Sequence, residues 1–84
     1  MDNKHRKTLE AIFEKPKRAN IAWRDIETLF IAVGAEATEG SGSRVRVALK
    51  NVRAVFHRPH PKKEANKSTV KSVRRFLETA GVKP

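Results

Sequence analysis

The chain contains no cysteine. That excludes a disulfide framework, a thiolate nucleophile and any cysteine-based metal site. Its three histidines are scattered and stand beside no carboxylate cluster, a poor ligand set, so no metal or other cofactor is expected. No apolar run approaches the roughly 18 to 20 residues that a membrane span needs. The opening MDNKHRKTLEAIFEKPKR is too polar for a secretory signal, which points to a cytoplasmic protein with no membrane partner. Close carboxylate pairs, a nucleophile elbow and a Walker loop are also missing, and GSGS at 40–43 lacks the strand-then-helix setting of a phosphate loop.

Acidic residues are scarce in one half only. Residues 1–42 hold seven Lys/Arg against seven Asp/Glu, whereas residues 43–84 hold twelve against two, Glu64 and Glu78. The formal net charge of +10 therefore comes entirely from the second half. A basic field so placed attracts polyanions, and nucleic acid is the first candidate partner; an acidic protein is the alternative.

A length of 84 residues suits one domain, spanning 1–84, with no room for a second core. Leu9, Ile12 and Phe13 share one face of a helix over 4–14, which Pro16 ends. After a polar connection, AWRDIETLFIAVG predicts a second helix with Trp23, Ile26, Phe30 and Val33 in a stripe and Gly34 as its stop. Ala35 to Thr38 fits an edge strand. Arg44 to Leu49 alternates strictly, and Lys50-Asn51 is a turn candidate because Asn tolerates the positive φ that tight hairpins require.

If Leu49 faces Val52, the hairpin pairs Arg44 with His57 and acquires two unlike faces. One face carries Val45, Val47, Leu49, Val52, Ala54 and Phe56; the other carries Arg44, Arg46, Arg53, Val55 and His57. A slip of one residue would put arginines in the core, so the pattern selects this register. Pro59 and Pro61 stop the strand. A last helix over 68–80 turns Val70, Val73, Leu77 and Ala80 inward and Lys71, Arg74 and Arg75 outward. The fold class is α+β: an α-β-β-β-α core over 21–82, with a three-stranded antiparallel sheet, helices on one face, and an extra N-terminal helix with its connection over 1–18.

What remains for chemistry is His57 and His60 beside Arg44, Arg46, Arg53 and Arg58. Cleaving RNA without a metal needs a base for the 2′-hydroxyl proton, an acid for the leaving oxygen, and cations on the phosphate. Histidine titrates near neutrality and arginine grips phosphate with paired hydrogen bonds. Blander roles stand beside these. His57 can be an ordinary cross-strand residue, and His60 can bond backbone between its prolines. His5 reads as solvated surface, Trp23 as core, and Lys71, Arg74 and Arg75 as a solvated helix face.

The residues resemble the HicA family of toxins from bacterial type II toxin-antitoxin pairs. WRDIETLFIAVGAE matches the family's helix ending in Gly, GSR at 42–44 its Gly-Ser-His, RPHPKKE at 58–64 its His-Pro turn, and TVKSVRRFLETAGV at 69–82 its final helix. The resemblance implies a double-stranded-RNA-binding-domain-like fold, metal-independent mRNA cleavage, and a HicB-type antitoxin that covers the active surface. On that reading Lys62, Lys63, Lys71, Arg74 and Arg75 join Arg44, Arg46, Arg53 and Arg58 in holding RNA. Arg44 departs from the pattern: the family's catalytic histidine follows Gly-Ser, and arginine stays protonated and is no general base near neutral pH. Three readings follow. Arg44 holds phosphate while His57 moves the proton; the chain is a non-catalytic RNA- or DNA-binding module; or it is an inactive toxin variant.

Overall fold

Asp2 opens the first helix: its Oδ1 accepts the His5 N–H at 3.0 Å, satisfying one of the donors that a helix start leaves unpaired. In the computed structural model, which describes residues 2–15 and 20–84, the element order is α1 (Asn3–Ile12), β1 (Ile21–Ala22), α2 (Trp23–Ala32), β2 (Glu36–Glu39), β3 (Arg44–Leu49), β4 (Val52–His57), β5 (Glu64–Ala65) and α3 (Lys67–Thr79). Pro16, expected to stop the first helix, lies outside the described residues with the connection through Ala19. No described helix is long and apolar enough to cross a membrane.

Two strands were not expected. β1 and β5 form a separate antiparallel ladder, Ile21 opposite Ala65 and Ala22 opposite Glu64. Its flanking bonds, Asn20 N–H to Ala65 O and Trp23 N–H to Lys63 O, both at 2.9 Å, tie the start of α2 to the start of α3. A two-residue strand has no hydrophobic period to read, which is why the sequence shows only three.

α2 ends as its sequence suggests. Gly34 takes φ 93°, and the Ala35 N–H returns to Phe30 O at 2.9 Å while the Gly34 N–H reaches Ile31 O at 3.0 Å, a closed C-terminal turn that a residue with a Cβ adopts only at a cost. Because Ala35 belongs to this turn, the edge strand begins at Glu36 and runs to Glu39, one residue later than expected. At the other end of the chain the Asn66 Oδ1 accepts the Thr69 N–H at 2.9 Å and starts α3.

The main sheet is antiparallel in the order β2-β3-β4. Its hairpin has the expected register throughout, from Leu49 opposite Val52 to Arg44 opposite His57. The turn differs in one respect: the positive φ, 56°, falls on Lys50 and not on Asn51. In a two-residue connection the first central position can carry the left-handed backbone, and the register fixes where the connection sits, not which residue takes that backbone.

The core forms where the apolar sheet face meets the helices. Val45, Val47, Leu49 and Phe56 are buried against Ile26, Leu29 and Phe30 of α2 and Val70, Val73, Phe76 and Leu77 of α3. α1 packs on α2 and α3 and adds Leu9, Ala11 and Ile12. Phe30 stacks on Phe56 at 5.6 Å, and Phe76 meets both edge-on. Trp23 is buried beside Phe56 at 5.9 Å, so it is a core residue and no platform for a base. Each such side chain withdraws enough apolar surface to contribute about 1.5–3 kcal/mol. The outcome is an α+β fold with both sheet-packing helices on one side, as in the double-stranded-RNA-binding-domain-like arrangement.

Candidate nucleic-acid interface

Alternation along the strands builds the open face. With Val45, Val47 and Phe56 turned to the core, Arg44, Arg46, Arg53, Val55 and His57 stand on the opposite side, joined by Glu36 and Thr38 from β2. Arg44, Arg46, Arg53 and His57 are all exposed, and none has a carboxylate partner among the described residues. Val55, 55% exposed, lies among them. An open depression of about 560 Å³ lies on this face, bordered by Glu36, Thr38, Arg46, Arg53 and Val55.

Arg44 and His57 are the candidate residues that face each other directly across the hairpin. The Arg58 N–H donates to Ser43 O at 2.9 Å, which makes the next pair inward, Arg44 with His57, a non-hydrogen-bonded pair. In such pairs the Cα atoms approach to about 4.5 Å and the side chains stand close. The loop entering β3 folds against them: the Gly40 N–H bonds Arg44 O at 2.9 Å, the Arg44 N–H bonds Ser41 O at 3.3 Å, and Gly42 turns the chain at φ 64°. A Cβ at Gly42 would meet nothing, so the glycine is required by backbone conformation alone. Ser41, Gly42, Ser43, Arg44 and His57 together line an open pocket of about 470 Å³.

Arg58, one residue beyond His57, points elsewhere. Its Nε and Nη2 donate to Glu27 at 2.8 and 3.2 Å, and its Nη1 and Nη2 donate to Glu39 at 2.7 Å each. The paired hydrogen bonds from Arg58, and then its charge, hold the Glu39 carboxyl below its ordinary value, and the two carboxylates push the guanidinium's pKa up. Arg58 thus joins β4 to α2 and β2 and is already neutralised. Glu27 lies 31 residues away and Glu39 19, so no local spacing announced the pairing.

The other sequence candidates are dispersed. His60, Lys62 and Lys63 lie on the exposed connection from β4 to β5. Lys71, Arg74 and Arg75 belong to α3, which packs behind the sheet. Arg74 sits over the Phe13 ring at 5.7 Å and reaches Glu78 at 3.9 Å, whereas Arg75 borders a groove beside β4. His5 is not solvated surface: its side chain is only 22% exposed and its Nε2 lies 3.7 Å from Asp2. Asp2, whose Oδ1 caps α1 by accepting the His5 N–H, also lies beside the His5 ring.

An imidazole and a guanidinium side by side on a cation-rich face can accept a proton and hold a phosphate, respectively. A family model described as the HicA toxin of bacterial toxin-antitoxin pairs matches residues 23–82, from the first residue of α2 to the end of the closing turn after α3. None of the curated proteins and none of the solved structures matches the chain.

Proposed function

Since the chain belongs to the HicA toxin family of bacterial toxin-antitoxin pairs, we propose that it is a metal-independent mRNA endonuclease, held in check by a HicB-type antitoxin that covers the open sheet face. One observation carries this reading: Arg44 and His57 stand opposite each other across the hairpin, over the glycine-turned loop 40–43 and beside Arg46 and Arg53.

In the proposed reaction the His57 imidazole takes the proton of a 2′-hydroxyl, and the freed oxygen attacks the adjacent phosphorus. The O2′–P bond forms as the P–O5′ bond breaks, leaving a 2′,3′-cyclic phosphate on one product. The departing 5′ oxygen takes a proton from water. Arg44 holds the non-bridging oxygens as negative charge builds, and Arg46 and Arg53 fix the strand to either side. Arg58 is left out of this set because two carboxylates already engage it.

Arg44 itself favours a second reading, in which the chain binds RNA without cutting it: a guanidinium supplies charge and hydrogen bonds but no base. Purified protein incubated with a structured RNA in the presence of chelator separates the two. Cleavage by the wild type, reduced by about 10²–10⁴-fold in His57→Ala with RNA retardation unchanged, supports the enzyme. Retardation that weakens with salt, without any cutting, leaves only the binding module. If RNA is ignored at low salt, both readings fail.

A further inference from the structure

A strand at the border of a sheet leaves one set of its main-chain groups unpaired. In β4 the register says which set. Because the Arg58 N–H bonds Ser43 O, the paired positions run back through Phe56, Ala54 and Val52, and the N–H and C=O groups of Arg53, Val55 and His57 point away from β3. Among the described residues β4 ends the sheet, with β3 as its one neighbour. α3 packs on the core face and leaves a groove of about 280 Å³ between itself and the strand, bordered by Arg53, Val55, Phe56, Ser72, Arg75 and Thr79. The described residues along the groove include two cations and no carboxylate.

We infer that this edge receives an extended acidic segment of a partner protein as a fourth strand. The edge offers donors and acceptors in alternation, the pattern that another strand satisfies. Phosphate oxygens only accept, so RNA laid along it by its phosphates would face the outward carbonyls of Arg53, Val55 and His57 with further acceptors. A second copy of this chain is disfavoured by charge: antiparallel pairing about Val55 sets Arg53 of one molecule against His57 of the other, with Arg75 close by on each. Carboxylates on the incoming strand meet Arg53 and Arg75 instead, and its apolar residues fill the groove over Phe56. The inference holds whether or not the chain cuts RNA.

Amide hydrogen exchange tests it on the whole chain, with a blocked peptide of alternating glutamate and valine as the probe. Saturating peptide is expected to slow exchange at Arg53, Val55 and His57 by about tenfold or more, as new hydrogen bonds close over those amides. N-methylation of the peptide on the edge that bonds β4 abolishes binding, and methylation on its other edge does not. Val55→Pro removes the central outward N–H, which no described residue uses, so it keeps the fold and loses the peptide. Should that variant unfold, the two methylated peptides still decide the matter. The inference is overturned if the peptide fails to bind, if both methylated forms bind equally, or if the three amides stay unprotected. It is overturned equally if RNA, or a rise in protein concentration alone, protects them.

Discussion

Lys50 holds the hairpin turn at φ 56°, a left-handed backbone that costs a residue with a Cβ roughly 1 kcal/mol and glycine little. Lys50→Gly is expected to raise stability by about 0.5–1 kcal/mol, read as a higher denaturant midpoint with an unchanged slope. A lower midpoint would show that the lysine side chain contributes more than its backbone costs. Arg44 poses the opposite question, one of chemistry on an unstrained strand. Arg44→His places an imidazole beside His57, which provides a proton acceptor and donor on neighbouring strands. Cleavage of RNA in chelator should then rise by about tenfold or more; an unchanged rate would mean that position 44 does not reach the scissile phosphate. That Arg44 opposes His57 was legible from strict alternation, since only one register keeps arginine out of the core. The left-handed residue was not, because Lys50 has no compositional mark of that conformation and Asn51, its neighbour, does.

Between elements, the Glu27–Arg58–Glu39 tie makes a prediction about pH. The fold holds the Glu39 carboxyl below its ordinary value near 4.5, so the folded chain takes up that proton less readily than the unfolded chain does. Its stabilisation is therefore in place above the ordinary value and disappears as pH falls through the lower folded one. Melting temperature followed from neutrality into acid should drop through that window in the wild type, and Glu39→Gln should lower it at neutral pH and flatten the acid limb. An identical acid limb in both would rule out this carboxylate as its source. Helices and the hairpin were readable because each repeats a period several times. The tie was not, since a charge gives no hint of partners 19 and 31 residues away. Leu29 and Phe56 show a related limit. Leu29 widens the buried face of α2 beyond the expected stripe, while Phe56 was placed inward by its strand and then found its aromatic partners only in the packed core.

For the whole molecule, net charge makes polyanions the expected partners without saying which side meets them, because the basic second half folds onto both sides of the sheet. Arg44, Arg46 and Arg53 occupy the open face, and Lys71, Arg74 and Arg75 the helix behind it. Salt dependence distinguishes the sides. Each phosphate neutralised on a single strand contributes roughly 0.7 to the slope of log affinity against log salt. If RNA lies on the open face, exchanging both Arg46 and Arg53 for Ala should flatten that slope by about 1.4, whereas exchanging Lys71 and Arg74 leaves it nearly unchanged. Arg74 already has Glu78 and the Phe13 ring as neighbours, so its loss affects the packing of α3 on α1 more than any polyanion. A slope flattened by the α3 pair and insensitive to Arg46 and Arg53 would place RNA behind the sheet, out of reach of His57, and would remove the basis for cleavage by the Arg44 and His57 pair.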